Sequence, residues 1–139
     1  MNLQQLKKQN SMRREILFRG KSVSSNKWVY GNFIHSKRFK GCLNEYRIHE
    51  QDTGIESDID EGTICQYSGM KDCKGIKIFE DDIIRDGCRL LVVKFNNGSF
   101  NFWTKYKTMV IQVDTTLFEV IGNIIENPNM FVNNFINII

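Results

Sequence analysis

The chain has 139 residues, a hydrophobic fraction of 41%, an aromatic fraction of 12% and a formal net charge of +3 with a pI near 8.7. This length and apolar content fit one packed domain and exclude wholesale disorder. No run approaches the ~18 apolar residues of a membrane-spanning helix, and the opening MNLQQLKKQN lacks the apolar stretch of a secretory signal, which points to the cytoplasm.

Alanine, the strongest helix former, is absent, whereas β-branched and aromatic residues are plentiful, so strands are expected to outnumber helices. Residues 1–11 are a polar leader, either a short helix with Leu3 and Leu6 on one face or a segment upstream of a natural start at Met12. The region 12–49 reads as strands. EILF and KWVYGNFIH flank a polar connection, Trp28 and Tyr30 share one face, and a third run covers 46–49. This region belongs to a basic front, since residues 1–49 carry eleven Lys and Arg against only Glu15 and Glu45. Residues 50–62 then hold six acids and no base, which predicts a solvated, flexible loop.

From 63 to 130 the pattern sharpens. TICQYSG is a short strand, KDCKG a turn in which Gly75 can take positive φ, and IKIF a strand or a turn. A strand from Asp82, a turn at Asp86-Gly87 and a strand over 88–95 follow. Asn97-Gly98 is a hairpin signal that delivers a strand over 99–105, with Phe100 and Phe102 on one face. MVIQV and FEVIGNI are two more strands, split at Asp114-Thr115, and Pro128 opens a terminal turn or helix. The apolar tail 131–139 is expected to dock on the core or on a second subunit. Short strands at this spacing predict a small barrel or a sandwich and exclude a doubly wound α/β fold.

No catalytic set converges. Gly20-Lys21-Ser22 ends like a phosphate loop, but Glu15 stands where its first glycine must be, so NTP binding is excluded. Cys42, Cys65, Cys73 and Cys88 contain no C-x-x-C pair and share no zinc spacing with His35 or His49. They are expected to be reduced, mostly buried thiols, with no metal and no cofactor. A calcium loop starting at Asp58 fails because its fifth position is Gly62. Glu80, Asp81 and Asp82 are consecutive and alternate in direction, which predicts a solvated turn and strand cap. Lys37, Arg38 and Lys40 surround Phe39, while Lys105 and Lys107 flank Tyr106 beside Trp103. Cations interleaved with flat rings suit single-stranded nucleic acid, so Lys37, Arg38, Phe39, Lys40, Trp103, Lys105 and Lys107 are its candidate contacts. Ordinary packing with charges on an outer face is the competing reading.

Three separated stretches together resemble the YopX family of phage and prophage proteins. REILFRGK is followed by WVYGNFIHS. QYSGMKDCKGIKIFEDDIIR is similar to the family's Q-(Y/F)-(T/S)-G-L-K-D-x-x-G-x-x-I-(Y/F)-E-G-D-I run, and FEVIGNIIENPNM to its E-V-I-G-N-I-(Y/H)-E-N-P ending. In this order they span most of residues 14–130. Where the family usually has glycine, this chain has Asp81, which is tolerable if φ there is negative or left-handed. The resemblance implies a mainly β protein with an SH3-like small barrel over 63–130, a phage or prophage origin, a bacterial cytoplasm and a start near Met12. It implies no reaction. The expected function is therefore a non-enzymatic accessory protein acting through protein–protein contacts, self-assembly included, and the alternative is a small β-barrel that binds nucleic acid.

Overall fold

The computed structural model of the protein describes residues 1–10, 14–111 and 113–133; Met12 and residues 134–139 of the apolar tail lie outside them. The described chain is mainly β, with short α-helices near its ends and single 3-10 turns at Glu61–Thr63 and Thr115–Leu117. Six strands form the first sheet: β1 (Phe18–Lys21), β2 (Trp28–His35), β3 (Tyr46–His49), β4 (Glu56–Asp58), β5 (Cys65–Lys71) and β6 (Lys77–Phe79). Their order is β4-β3-β2-β1-β5-β6. The second sheet contains β7 (Asp82–Asp86), β8 (Arg89–Asn96), β9 (Ser99–Trp103), β10 (Met109–Val110) and β11 (Phe118–Asn123), in the order β10-β9-β8-β7-β11. Every pairing is antiparallel. Helix α1 (Leu3–Asn10) precedes the sheets and α2 (Pro128–Asn133) follows them.

Local chemistry explains the best-formed turn. Asn97 (φ 52°) and Gly98 (φ 82°) both take left-handed backbone, the requirement of a two-residue hairpin whose twist matches its strands. That turn sets the register Asn96↔Ser99 and Val93↔Phe102, which aims Phe102 inward. There it packs with Ile84, Leu91, Val93 and Phe118 of the second sheet and with Ile78 of the first. A smaller cluster of Val29, Ile48 and Ile59 holds the outer part of the first sheet.

The described strands do not close into a barrel. The two sheets are separate ladders, each with two terminal strands. Closure would require β11 to pair with a further strand on its outer side. That side is already taken by the β5–β6 turn, because the Val120 N–H donates to Asp72 Oδ2 at 3.0 Å and the Cys73 N–H donates to the Phe118 carbonyl at 2.9 Å.

Two local expectations also change. The acidic stretch 50–62 is not simply a loop: it supplies β4, and Ile59 is buried against the first sheet. Its backbone is pinned by the Val23 N–H to the Asp58 carbonyl at 2.8 Å and the Asp60 N–H to the Lys21 carbonyl at 2.9 Å, while the acids point outward. Among its described residues, MVIQV contributes the two-residue β10. Of the four cysteines, Cys65 alone is fully buried, Cys42 is half-buried, and Cys73 and Cys88 sit exposed in turns.

Candidate functional site

The two sheets meet where β1 faces the start of β7. Arg19 of β1 donates from Nη2 to Asp82 Oδ1 at 2.8 Å, and Asp82 Oδ2 accepts the Phe79 N–H at 2.7 Å. Asp82 is only 2% exposed. The guanidinium lies 4.4 Å from the Trp28 ring centroid and 4.8 Å from that of Phe79, so its faces are covered by aromatic carbon. Burial raises the proton affinity of Asp82, and Arg19 and the Phe79 N–H oppose that rise. Burial likewise works against the charge of Arg19, yet Asp82 and Cys65 outweigh it and its pKa is raised. A guanidinium that keeps its proton at 2.8 Å holds Asp82 as an ion pair at neutral pH. Cys65 beside it is pushed up to about 12, chiefly by burial, with Arg19 opposing and Asp81 adding to the shift. Its thiol is therefore protonated at neutral pH and is a poor nucleophile.

The charges of the 68–84 stretch thus hold the sheets together. Asp72 accepts the N–H groups of Lys74 (2.9 Å), Ile76 (2.8 Å) and Val120 (3.0 Å), fastening its own turn to β11. Lys74 adds an ion pair to Glu119 at 2.9 Å. Asp81 has φ 69°, the left-handed conformation that a glycine would adopt without strain, and its carboxylate pairs with Lys94 at 2.6 Å. The expected solvated acidic cap is corrected here. Asp82 projects inward to the buried arginine, a consequence of the link between β6 and β7 crossing from one sheet to the other.

Beside the ion pair the seam opens into a cavity of about 430 Å³, walled by Leu17, Ile76, Phe79 and Val120, with Arg19 and Asp82 in its lining. A second cavity of about 300 Å³ adjoins it, sharing Leu17, Tyr30 and Lys77 and adding Glu15, Gln51 and Asp52. Among the described residues, no group of three or more His, Cys, Asp or Glu is placed to hold a metal ion. No described helix is long and apolar enough to cross a membrane.

The candidate nucleic-acid contacts fall into two groups on different sheets. Lys37, Arg38, Phe39 and Lys40 are exposed on the connection from β2 to β3, where Arg38 pairs with Glu56 at 3.3 Å. Trp103 ends β9 half-buried, its Nε1–H without a partner, and Lys105 and Lys107 lie in the turn to β10. Lys105 Nζ sits 4.7 Å above the Tyr106 ring. Sequence reasoning missed an aromatic stack beside the first group. His35 lies on Tyr46 (4.5 Å, 11°), Tyr46 is parallel to Phe33 (6.3 Å, 7°), and Phe33 meets Phe18 at 5.5 Å. The pairing His35↔Tyr46 creates the stack, and that register is set across the long 36–45 connection rather than by a tight hairpin turn.

The family model described as YopX protein matches residues 17–131, most of the chain. The chain belongs to the YopX family. No curated protein matches it. The crystal structure of protein EF1440 from Enterococcus faecalis is similar to this YopX-family chain, with a TM-score of 0.52 and 19% identity over 86% of this chain and 99% of that one. At that identity the likeness establishes a shared fold. The matched range of the YopX chain contains both sheets, the Arg19–Asp82 pair and the Asp72 turn.

Proposed function

We propose that this YopX-family protein is a phage or prophage accessory protein of the bacterial cytoplasm that works without catalysis, through protein–protein contacts that include self-association. The observation that carries this reading is apolar surface at the terminal strand of the second sheet. Ile111 is 86% exposed and Leu117 61% exposed, and Tyr106, Met109 and Val113 are exposed beside them. β10 ends its sheet, so no described strand pairs with its outer backbone groups, and an apolar edge of that kind favours association. Light scattering of the purified protein tests it. Wild type is expected to be larger than a monomer, and Ile111→Glu with Leu117→Lys to be monomeric. A strictly monomeric wild type that also recovers no partner from infected cells removes the reading.

The aromatic stack supports a second reading, a nucleic-acid-binding surface. Rings of His35, Tyr46 and Phe33 lie next to the Lys37–Lys40 connection, and stacking plus cationic charge is how single strands are held. Binding to a labelled single-stranded oligonucleotide is then expected to weaken with salt and with charge reversal at Lys37 and Lys40 or at Lys105 and Lys107. No binding at low salt eliminates it.

A further inference from the structure

The paired cavities of the seam have properties that neither reading above uses. Their larger part has mostly carbon walls, and its Arg19 and Asp82 charges cancel. Its volume of about 430 Å³ lies within the range of ligand pockets, about 300–1,000 Å³. The smaller part is polar and carries an excess negative charge. Lys77 is matched by Glu15 at 2.9 Å, while Asp52 has no ion-pair partner among the described residues. Tyr30, 45% exposed, stands where the two parts join and rests edge-on against Phe79.

The trough is bordered by β6 and β11, the terminal strands of their sheets. The outer edge of β11 is already occupied, since Asp72 and Cys73 bond to Val120 and Phe118 there, so a segment in the trough is held through its side chains and not by strand addition. We infer that the trough is a peptide-binding groove for an extended segment of a partner protein, one that carries a large apolar side chain with a Lys or Arg close to it in sequence. The apolar side chain enters the seam between Ile76, Phe79 and Val120, and the cation lies beside Asp52. An anionic segment is disfavoured, because Asp52 repels it and the charges of Lys77 and Glu15 are already matched to each other. This surface is separate from the β10 edge, so the two readings stand or fall independently.

The test uses the full chain, isotopically labelled for amide NMR and titrated with capped peptides. N-acetyl-Phe-Lys amide, with zero, one or two glycines between the two residues, supplies the probes, and versions with Ser for Phe or Glu for Lys are the controls. Saturable shifts are expected at Leu17, Tyr30, Ile76, Lys77 and Val120 with at least one Phe–Lys spacing, and not with the controls. Ile76 (52% exposed) and Asp52 lie in surface turns, so Ile76→Arg and Asp52→Lys leave the core intact. Ile76→Arg is expected to weaken binding at least about tenfold, and Asp52→Lys to transfer preference to the Phe–Glu control. Two results overturn the inference: no saturable response at these residues with any spacing, or binding that both substitutions leave unchanged.

Discussion

Replacing Asp82 by asparagine keeps the shape of the side chain and removes its charge. The carboxylate serves two donors at once, Arg19 Nη2 at 2.8 Å through Oδ1 and the Phe79 N–H at 2.7 Å through Oδ2. An amide has one oxygen, so Asp82→Asn satisfies one donor and turns an NH2 towards the other. Arg19, only 6% exposed, then keeps its charge without its buried counter-ion; Glu126 still lies within electrostatic reach, and the Glu80 carbonyl at 3.4 Å is one remaining acceptor. Breaking a buried pair in this way costs about 3–5 kcal/mol, a large share of the 5–15 kcal/mol that holds a domain folded. Arg19→Met is expected to cost a similar amount by leaving the carboxylate buried alone. In the double variant the new amide oxygen can accept the Phe79 N–H, while the thioether side chain fills the space between Trp28 and Phe79. It is expected to lie within about 1 kcal/mol of the milder single variant. Urea unfolding at neutral pH, followed through tryptophan fluorescence, measures all four proteins, and Trp28 reports directly on the site. The pH dependence has a defined sign. Burial raises the pKa of Asp82, and removing Arg19 raises it further. The penalty in Arg19→Met is absent below the unfolded carboxylate pKa and sets in as pH rises through the folded one, so its deficit should shrink in acid. Single losses below about 1 kcal/mol, or single effects that simply add, refute the coupled pair.

Asp72→Ala is expected to cost about 2–4 kcal/mol, because three N–H groups lose their acceptor and the β5–β6 turn loses its hold on β11. Burial opposes the charge of Asp72, but those N–H groups and Lys74 hold its pKa below the usual carboxylate range. Its contribution is therefore present above the unfolded pKa and lost as pH falls through the folded one; unfolding curves of wild type and variant should converge in acid. Gly31→Ala places a methyl group against the His49 backbone carbonyl and should cost about 1–3 kcal/mol in the same denaturation assay, since β2 and β3 must separate to admit it. Iodoacetamide followed by peptide mass mapping should modify exposed Cys73 and Cys88 in the native protein at neutral pH. Cys65, buried and with its pKa pushed up to about 12, should react only after unfolding.

Much of the local structure was legible because its causes are local. Asn97-Gly98 specifies a hairpin through the backbone those two residues tolerate, and the turns at Gly75 and Asp86-Gly87 and the helix at Pro128 follow the same logic. The strand expected from Asp82 is present, and its isoleucines at 83 and 84 are fully buried. The family signature was visible as well, since short motifs in a fixed order survive in the chain itself. The strand at 56–58 was hidden, because three residues in an acid-rich stretch carry no usable periodicity and their pairing is supplied by Arg47, Ile48 and His49.

Sequence by itself therefore determined the strand-rich class, the main turns and the family. Tertiary structure decided what the charged 68–84 stretch does. Arg19 and Asp82 are far apart along the chain, and the energetic value of either charge depends on the other being present in the same dry seam. Two open sheets rather than a barrel result from the same kind of long-range fact. The outer edge of β11 is occupied by Asp72 and Cys73, and only the folded chain brings that turn and that edge together.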